Sequence, residues 1–154
     1  MDYYVVDAFT NKLFRGNPAC ICVLEKILTD EVLQKIAFEN NLSETAFIYK
    51  NGTNYKLRWF TPSFEIDLCG HATLAAAFIV FNYIDCNLDK VKFETVSGVL
   101  SVIRKGDLYE MTFPKRIPQN ILPTPDIMEL LGYEPLELYA DRDLYVIMND
   151  EEEV

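Results

Sequence analysis

Asp67-Leu68-Cys69-Gly70-His71-Ala72-Thr73 leads directly into Leu74-Ala75-Ala76-Ala77-Phe78-Ile79-Val80-Phe81, and this junction governs how the chain folds. Nothing from Leu74 to Phe81 is polar, so a helix here has no face suited to water and belongs inside a wrapping sheet. The same junction places the only histidine and one of the four cysteines at the start of that helix. A helix N-terminus carries unpaired backbone N–H groups and the positive end of the dipole, which together favour a carboxylate or a phosphate. His71 is within reach of an anion held there.

Strand signals surround the helix. Tyr3 to Phe9 and Ala19 to Leu24 are β-branched and aromatic runs flanking the turn-rich Arg15-Gly16-Asn17-Pro18. Thr29 is placed to cap a helix with Asp30 and Glu31 in its first turn and Val32, Leu33, Ile36 and Ala37 on one face, ending near Asn40-Asn41. Glu44 to Tyr49 and Tyr55 to Thr61 flank the hairpin dipeptide Asn51-Gly52. Phe64, Ile66 and Leu68 alternate with Glu65 and Asp67, which predicts a third strand entering the apolar helix. Beyond it, Val91 to Thr95, Val99 to Arg104 and Leu108 to Phe113 read as a meander turning at Ser97-Gly98 and Lys105-Gly106-Asp107. The pattern is α+β: strands wrapping a central apolar helix.

The composition changes at Pro114, where Pro114, Pro118, Pro123 and Pro125 crowd a span that cannot continue a central strand. The expected organisation is a domain over 1–113, a proline-rich linker over 114–123, and the start of a truncated second domain over 124–154. Thr124-Pro125-Asp126 reads as a helix start, Gly132 as its C-cap, and Leu136 to Met148 as strand. About 40 residues without a central helix is close to the lower limit for independent folding.

The balance of 14 Lys and Arg against 24 Asp and Glu gives a formal net charge of -10, which argues against nucleic acid and anionic membranes as partners. No apolar run reaches the roughly 18 residues a bilayer span needs, and the N-terminus lacks a signal-peptide layout, so a cytoplasmic location is expected. Cys20, Cys22, Cys69 and Cys86 would then be reduced, and their spacing makes no pair of CxxC motifs, so no metal site is expected. Cys20 and Cys22 share one strand face by the two-residue period and read as core.

Val6-Asp7-Ala8-Phe9-Thr10, Gly16-Asn17-Pro18-Ala19, Asn41-Leu42-Ser43-Glu44-Thr45-Ala46-Phe47, Leu57-Arg58-Trp59-Phe60-Thr61-Pro62, Asp67 to Ala75 and Phe93 to Gly98 occur in an ordered series. Together they resemble the N-terminal half of the PhzF-like family, named for phenazine biosynthesis. That family is similar in fold to diaminopimelate epimerase, with two related domains, each a rolled sheet around a central helix, and an active site in the cleft between them. The resemblance implies an isomerase or epimerase that needs no cofactor and moves a proton at carbon near the carboxylate of a small metabolite.

On the same resemblance Glu44 is the general acid/base, and His71 lies in the cleft to contact substrate or relay its proton. Such chemistry asks for a partly buried carboxylate, since a solvated Glu near pKa 4.3 is a poor base toward carbon. The plainer reading of Glu44 is a solvated acid at a strand start, and of His71 a structural residue at a helix start. Gly70, with the amides of His71 and Ala72, is a candidate for holding a substrate carboxylate. Ser43 and Asp67 are further binding candidates, each also readable as a turn or capping residue. Cys69 is open to two readings: a thiol activated at a helix N-terminus, as in a cysteine-based racemase half-site, or a packing residue. The other half of such an enzyme is not evident after residue 113. The expectation is therefore a homodimer or a domain-complementing partner, with a catalytically incomplete domain that binds a small carboxylate as the alternative.

Overall fold

The computed structural model describes every residue, Met1–Val154, and divides into two compact units, Met1–Phe113 and Pro114–Val154. In the first unit β1 (Asp2–Ala8) pairs antiparallel with β2 (Asn17–Val23), and α1 (Asp30–Asn40) crosses over to β3 (Thr45–Asn51), which lies parallel to β2. β3 turns tightly into β4 (Asn54–Phe60), where Gly52 supplies a positive φ of 62° in the two-residue loop. The short β5 (Glu65–Ile66) pairs with β4. α2 (Gly70–Ile79) and the wide π-turn Val80–Ile84 carry the chain to β6 (Lys90–Thr95), which lies parallel to β4. β7 (Gly98–Lys105) and β8 (Leu108–Thr112) complete the meander.

The result is a mixed sheet in the order β1-β2-β3-β4-β6-β7-β8, curled as a half-barrel, with β1 and β8 as its free edges. Strand alternation gives it two cores. Ala19, Ile21, Ala46, Ile48, Leu57, Trp59, Phe93 and Val102 point to one side, where they pack with Ala72, Ala75, Ala76 and Ile79 of α2. Cys20, Cys22, Phe47 and Phe60 point to the other and meet Leu33 and Ala37 of α1. Small alanines let α2 lie close to the strands, while Trp59, Tyr55 and Phe93, all fully buried, fill the volume around it.

Several elements differ from the expectations. The strand expected through Leu68 is reduced to Glu65–Ile66. The Thr61 hydroxyl accepts the amides of Ser63 and Phe64, turning the chain just before it, and Ser97 Oγ bonds the Asp67 carbonyl just after it. Val32, expected on the apolar face of α1, is exposed, and Thr29 occupies the N-cap position without a side-chain cap. The apolar helix runs on past Phe81 as a π-turn closed by the Asp85 amide on the Val80 carbonyl. Carbonyls there find other donors: Asn82 Nδ2 bonds Phe78 O and the Arg104 guanidinium bonds Phe81 O. Nor is the helix enclosed all round, since Leu74 and Phe78 are half-buried and line an open depression with Phe9, Arg104, Leu108 and Tyr109.

In the second unit β9 (Gln119–Ile121), β10 (Glu137–Ala140) and β11 (Leu144–Ile147) form an antiparallel sheet in the order β11-β10-β9. β9 lies inside the stretch expected as linker. The strand expected from Leu136 to Met148 is broken in two by a turn at Asp141–Asp143. α3 (Pro125–Leu131) begins at Thr124, whose hydroxyl accepts the Ile127 amide, and ends at Gly132 with φ 76°. No residue of α3 is buried, and Leu122 and Leu130 are 84% and 87% exposed, so this unit has almost no core of its own. No helix in the chain is long and apolar enough to cross a membrane.

Candidate active site

Glu44 immediately precedes β3, and its carbonyl accepts the Cys20 amide at 3.1 Å, which ties this point of the chain to β2. Asn41, in the left-handed conformation at φ 50°, ends α1 and allows the turn into Leu42-Ser43-Glu44. Asn40 Nδ2 donates to the buried Thr45 hydroxyl at 3.1 Å, fixing the register of the strand start. The two-residue period then puts Glu44 on the side of Ala46 and Ile48, which is the side of α2.

Cys69 is the N-cap residue of α2 in extended conformation, and His71 lies in the first turn. Thr73, fully buried, locks this turn by bonding the Cys69 carbonyl through both its amide and its hydroxyl. His71 Nε2 lies 3.1 Å from Glu44 Oε2, with the two side chains only 10% and 18% exposed. The approach suits an ion pair, but it is not aligned as a hydrogen bond. Both atoms are shut off from solvent without another partner. On the other side of the ring Nδ1 lies 3.5 Å from Cys69 Sγ. The imidazole thus bridges a carboxylate and a thiol.

Burial is the main force pushing the Cys69 thiol up to about 11, helped by the negative charge of Glu44, while the amides of Ala72 and His71 pull the other way. Near neutral pH the group is a thiol, not a thiolate. Ligand atoms of Glu44, Cys69 and His71 all lie within 4.8 Å of one another. Cysteine spacing points away from any metal site; three donors of different type nevertheless converge, because the fold joins two distant segments.

The remaining expected residues fall around this trio. Gly70 and Ala72 flank His71 in the first turn of α2, Ala72 fully buried. Gly70 has no unusual φ, and a Cβ added there would meet only Phe113 Cζ, at 3.7 Å, so neither packing nor backbone conformation requires glycine. Ser43 is exposed beside Glu44, with its hydroxyl 3.5 Å from the Pro18 carbonyl. Asp67 is exposed, and its carbonyl accepts from Ser97. Cys20 and Cys22, with sulfurs 3.7 Å apart, are buried in the core beneath α1, and Cys86 is exposed. Thr73 is absent from the sequence-based candidates, although it carries the one hydroxyl in α2.

Within an α+β half-barrel, a carboxylate thus faces an imidazole at a helix start. The chain belongs to the phenazine biosynthesis-like (PhzC–PhzF) family, whose pattern matches residues 6–139. It is 45% identical over 151 residues to an uncharacterized isomerase of Pseudomonas aeruginosa, covering 98% of this chain and 58% of that protein. It is also similar to the crystal structure of a phenazine biosynthesis PhzC/PhzF protein from Clostridium difficile, with 55% identity and a TM-score of 0.86 over 99% of this chain and 59% of that one. A PhzF-family structure from Enterococcus faecalis gives 51% identity and a TM-score of 0.87, over 99% and 58% of the two chains. The chain thus spans less than three-fifths of the length of these relatives.

Proposed function

We propose that this chain carries the acid/base half of an isomerase or epimerase that shifts a proton at carbon next to a carboxylate, with no cofactor. Glu44 takes the proton from carbon and returns it, and His71 orients the carboxylate and relays charge. The observation that carries this reading is the 3.1 Å approach of Glu44 Oε2 to His71 Nε2, both buried and without other partners. The substrate carboxylate is assigned to the first turn of α2, from Gly70 to Ala72, with Ser43, next to Glu44 in the chain, and Asp67, two residues before Cys69, as further binding candidates. Family membership and relatives named as isomerases support the reaction class. A cysteine-based half-site is disfavoured by burial of Cys69, which keeps its thiol protonated.

In this reading the rolled sheet around α2 is of the diaminopimelate epimerase type, and the remaining catalytic groups come from outside Met1–Phe113. Support comes from the relatives, of which this chain spans less than three-fifths. Catalysis then draws on a complementary segment or a second copy. The test is incorporation of solvent deuterium into a panel of small carboxylic acids with an acidic C–H, followed by proton NMR. Exchange that is lost in Glu44→Gln supports the reading; exchange that is unchanged in that variant sinks it. Saturable binding of a carboxylate without exchange would favour the binding-domain alternative.

A further inference from the structure

We propose that Glu44, Cys69 and His71 bind one thiophilic divalent cation of the Zn²⁺ type, and that such an ion silences the acid/base pair. The proposal uses the side chains of the proton-transfer reading but does not depend on any reaction. A thiol, an imidazole and a carboxylate are the donor types that zinc takes together, whereas calcium and magnesium prefer oxygen alone. Geometry supports the set. Bonds of about 2.1 Å to nitrogen and to oxygen, at a tetrahedral angle, call for an N···O separation of about 3.4 Å. Nε2 and Oε2 stand at 3.1 Å. The sulfur lies 3.5 Å from Nδ1 of the ring and within 4.8 Å of a Glu44 carboxylate oxygen, and a cysteine χ1 rotation is the movement that would bring it toward the ion.

A second observation points to a ligand independently of the donor set. The His71 side chain is nine-tenths buried, yet its Nε2 has no hydrogen-bond partner, and neither has the facing Glu44 Oε2. Buried polar atoms are almost always satisfied in native proteins, and a cation between these two would satisfy both. Glu44 is the most open of the three, at 18%, and gives an ion its way in. Three protein ligands leave the fourth position of the metal free for water or a small carboxylate. Because the ion takes the Oε2 lone pair that faces His71 and withdraws negative charge from the carboxylate, metal binding makes Glu44 a weaker base and opposes proton abstraction there.

The test is titration of the metal-free 154-residue chain with Co²⁺, read by the near-ultraviolet thiolate-to-cobalt absorption. The expected result is a band saturating at one ion per chain and discharged by Zn²⁺. Cys69→Ser should abolish it and Cys86→Ser should not, while Glu44→Gln and His71→Ala should each weaken cobalt affinity at least tenfold. Failure to saturate, survival of the band in Cys69→Ser, or unchanged affinity in both Glu44→Gln and His71→Ala overturns the proposal. Since Cys69 is buried, circular dichroism checks that its variant folds. If it does not, the cobalt affinity of Glu44→Gln, an isosteric change at a partly exposed position, decides between the outcomes. Deuterium exchange in metal-free buffer tests the proton-transfer reading separately, so either can fail alone.

Discussion

Glu44 Oε2 lies 3.1 Å from His71 Nε2 while Nδ1 of the same ring lies 3.5 Å from Cys69 Sγ, so one imidazole links a carboxylate on the sheet to a thiol at a helix start. Burial of the contact protects it from competition by water.

Replacing Glu44 with Gln keeps the shape and removes the proposed base. Any carbon-proton exchange should fall by roughly a hundredfold or more, while thermal stability changes little. NMR exchange rates and a melting curve on the same sample check both halves of the statement.

Cys69, with its thiol raised to about 11, should resist alkylation. At pH 8 only about one thiol in a thousand is ionised, and the sulfur is buried. Iodoacetamide should therefore label exposed Cys86 first, and Cys69 should react appreciably only as the pH approaches its raised value. Peptide mass spectrometry after timed labelling decides it; equal rates for the two cysteines would contradict the burial of Cys69.

Two glycines should respond in opposite ways. At Gly16, φ is +89° and an added Cβ would lie 2.4 Å from the Ala8 carbonyl oxygen, so Gly16→Ala should cost about 2 kcal/mol or more. At Gly70 the nearest atom is 3.7 Å away and the backbone is helical, so Gly70→Ala should be neutral or stabilising by up to about 1 kcal/mol. Urea denaturation of the two variants makes the comparison.

Asp85 accepts from Lys50 and from Tyr55 Oη at 2.7 and 2.6 Å, and these bonds hold its carboxyl below the usual range. A carboxyl depressed by folding contributes stability above its unfolded pKa and loses it as the pH falls through the lower folded value. Asp85→Asn should therefore narrow the stability gap between pH 7 and pH 3. The effect should stay below about 1 kcal/mol because the pair is exposed to solvent. Chemical denaturation of the variant and the parent chain at the two pH values measures it.

Leu13 and Phe14 are 85% and 96% exposed in the first unit, and the second unit exposes Leu122 and Leu130. Self-association that grows with concentration is the expected behaviour, to be followed by sedimentation velocity. A monodisperse monomer at high concentration would count against a homodimer.

Much of the fold is legible because its strands alternate in hydrophobicity and its turns carry glycine, as at Gly52 and Gly98. β5 is shorter than its pattern suggests because alternation from Phe64 to Leu68 says nothing of the Thr61 turn or of the Ser97 bond to Asp67 that end it. The π-turn is not legible locally, since its Phe81 carbonyl is satisfied by Arg104, which comes from β7. β9 is hidden among prolines, and three residues are too few for a periodic pattern.

By itself the sequence determined that an apolar helix follows Cys69, that Cys20 and Cys22 faced one way, and that a histidine and a cysteine opened the helix. Those properties are local: they follow from side-chain type and from the periods of helix and strand. Only the tertiary structure decided that Glu44 meets His71. That contact depends on β3 lying parallel to β2 and on the strand register that turns Glu44 toward α2, and both are set by pairing between segments distant in the chain.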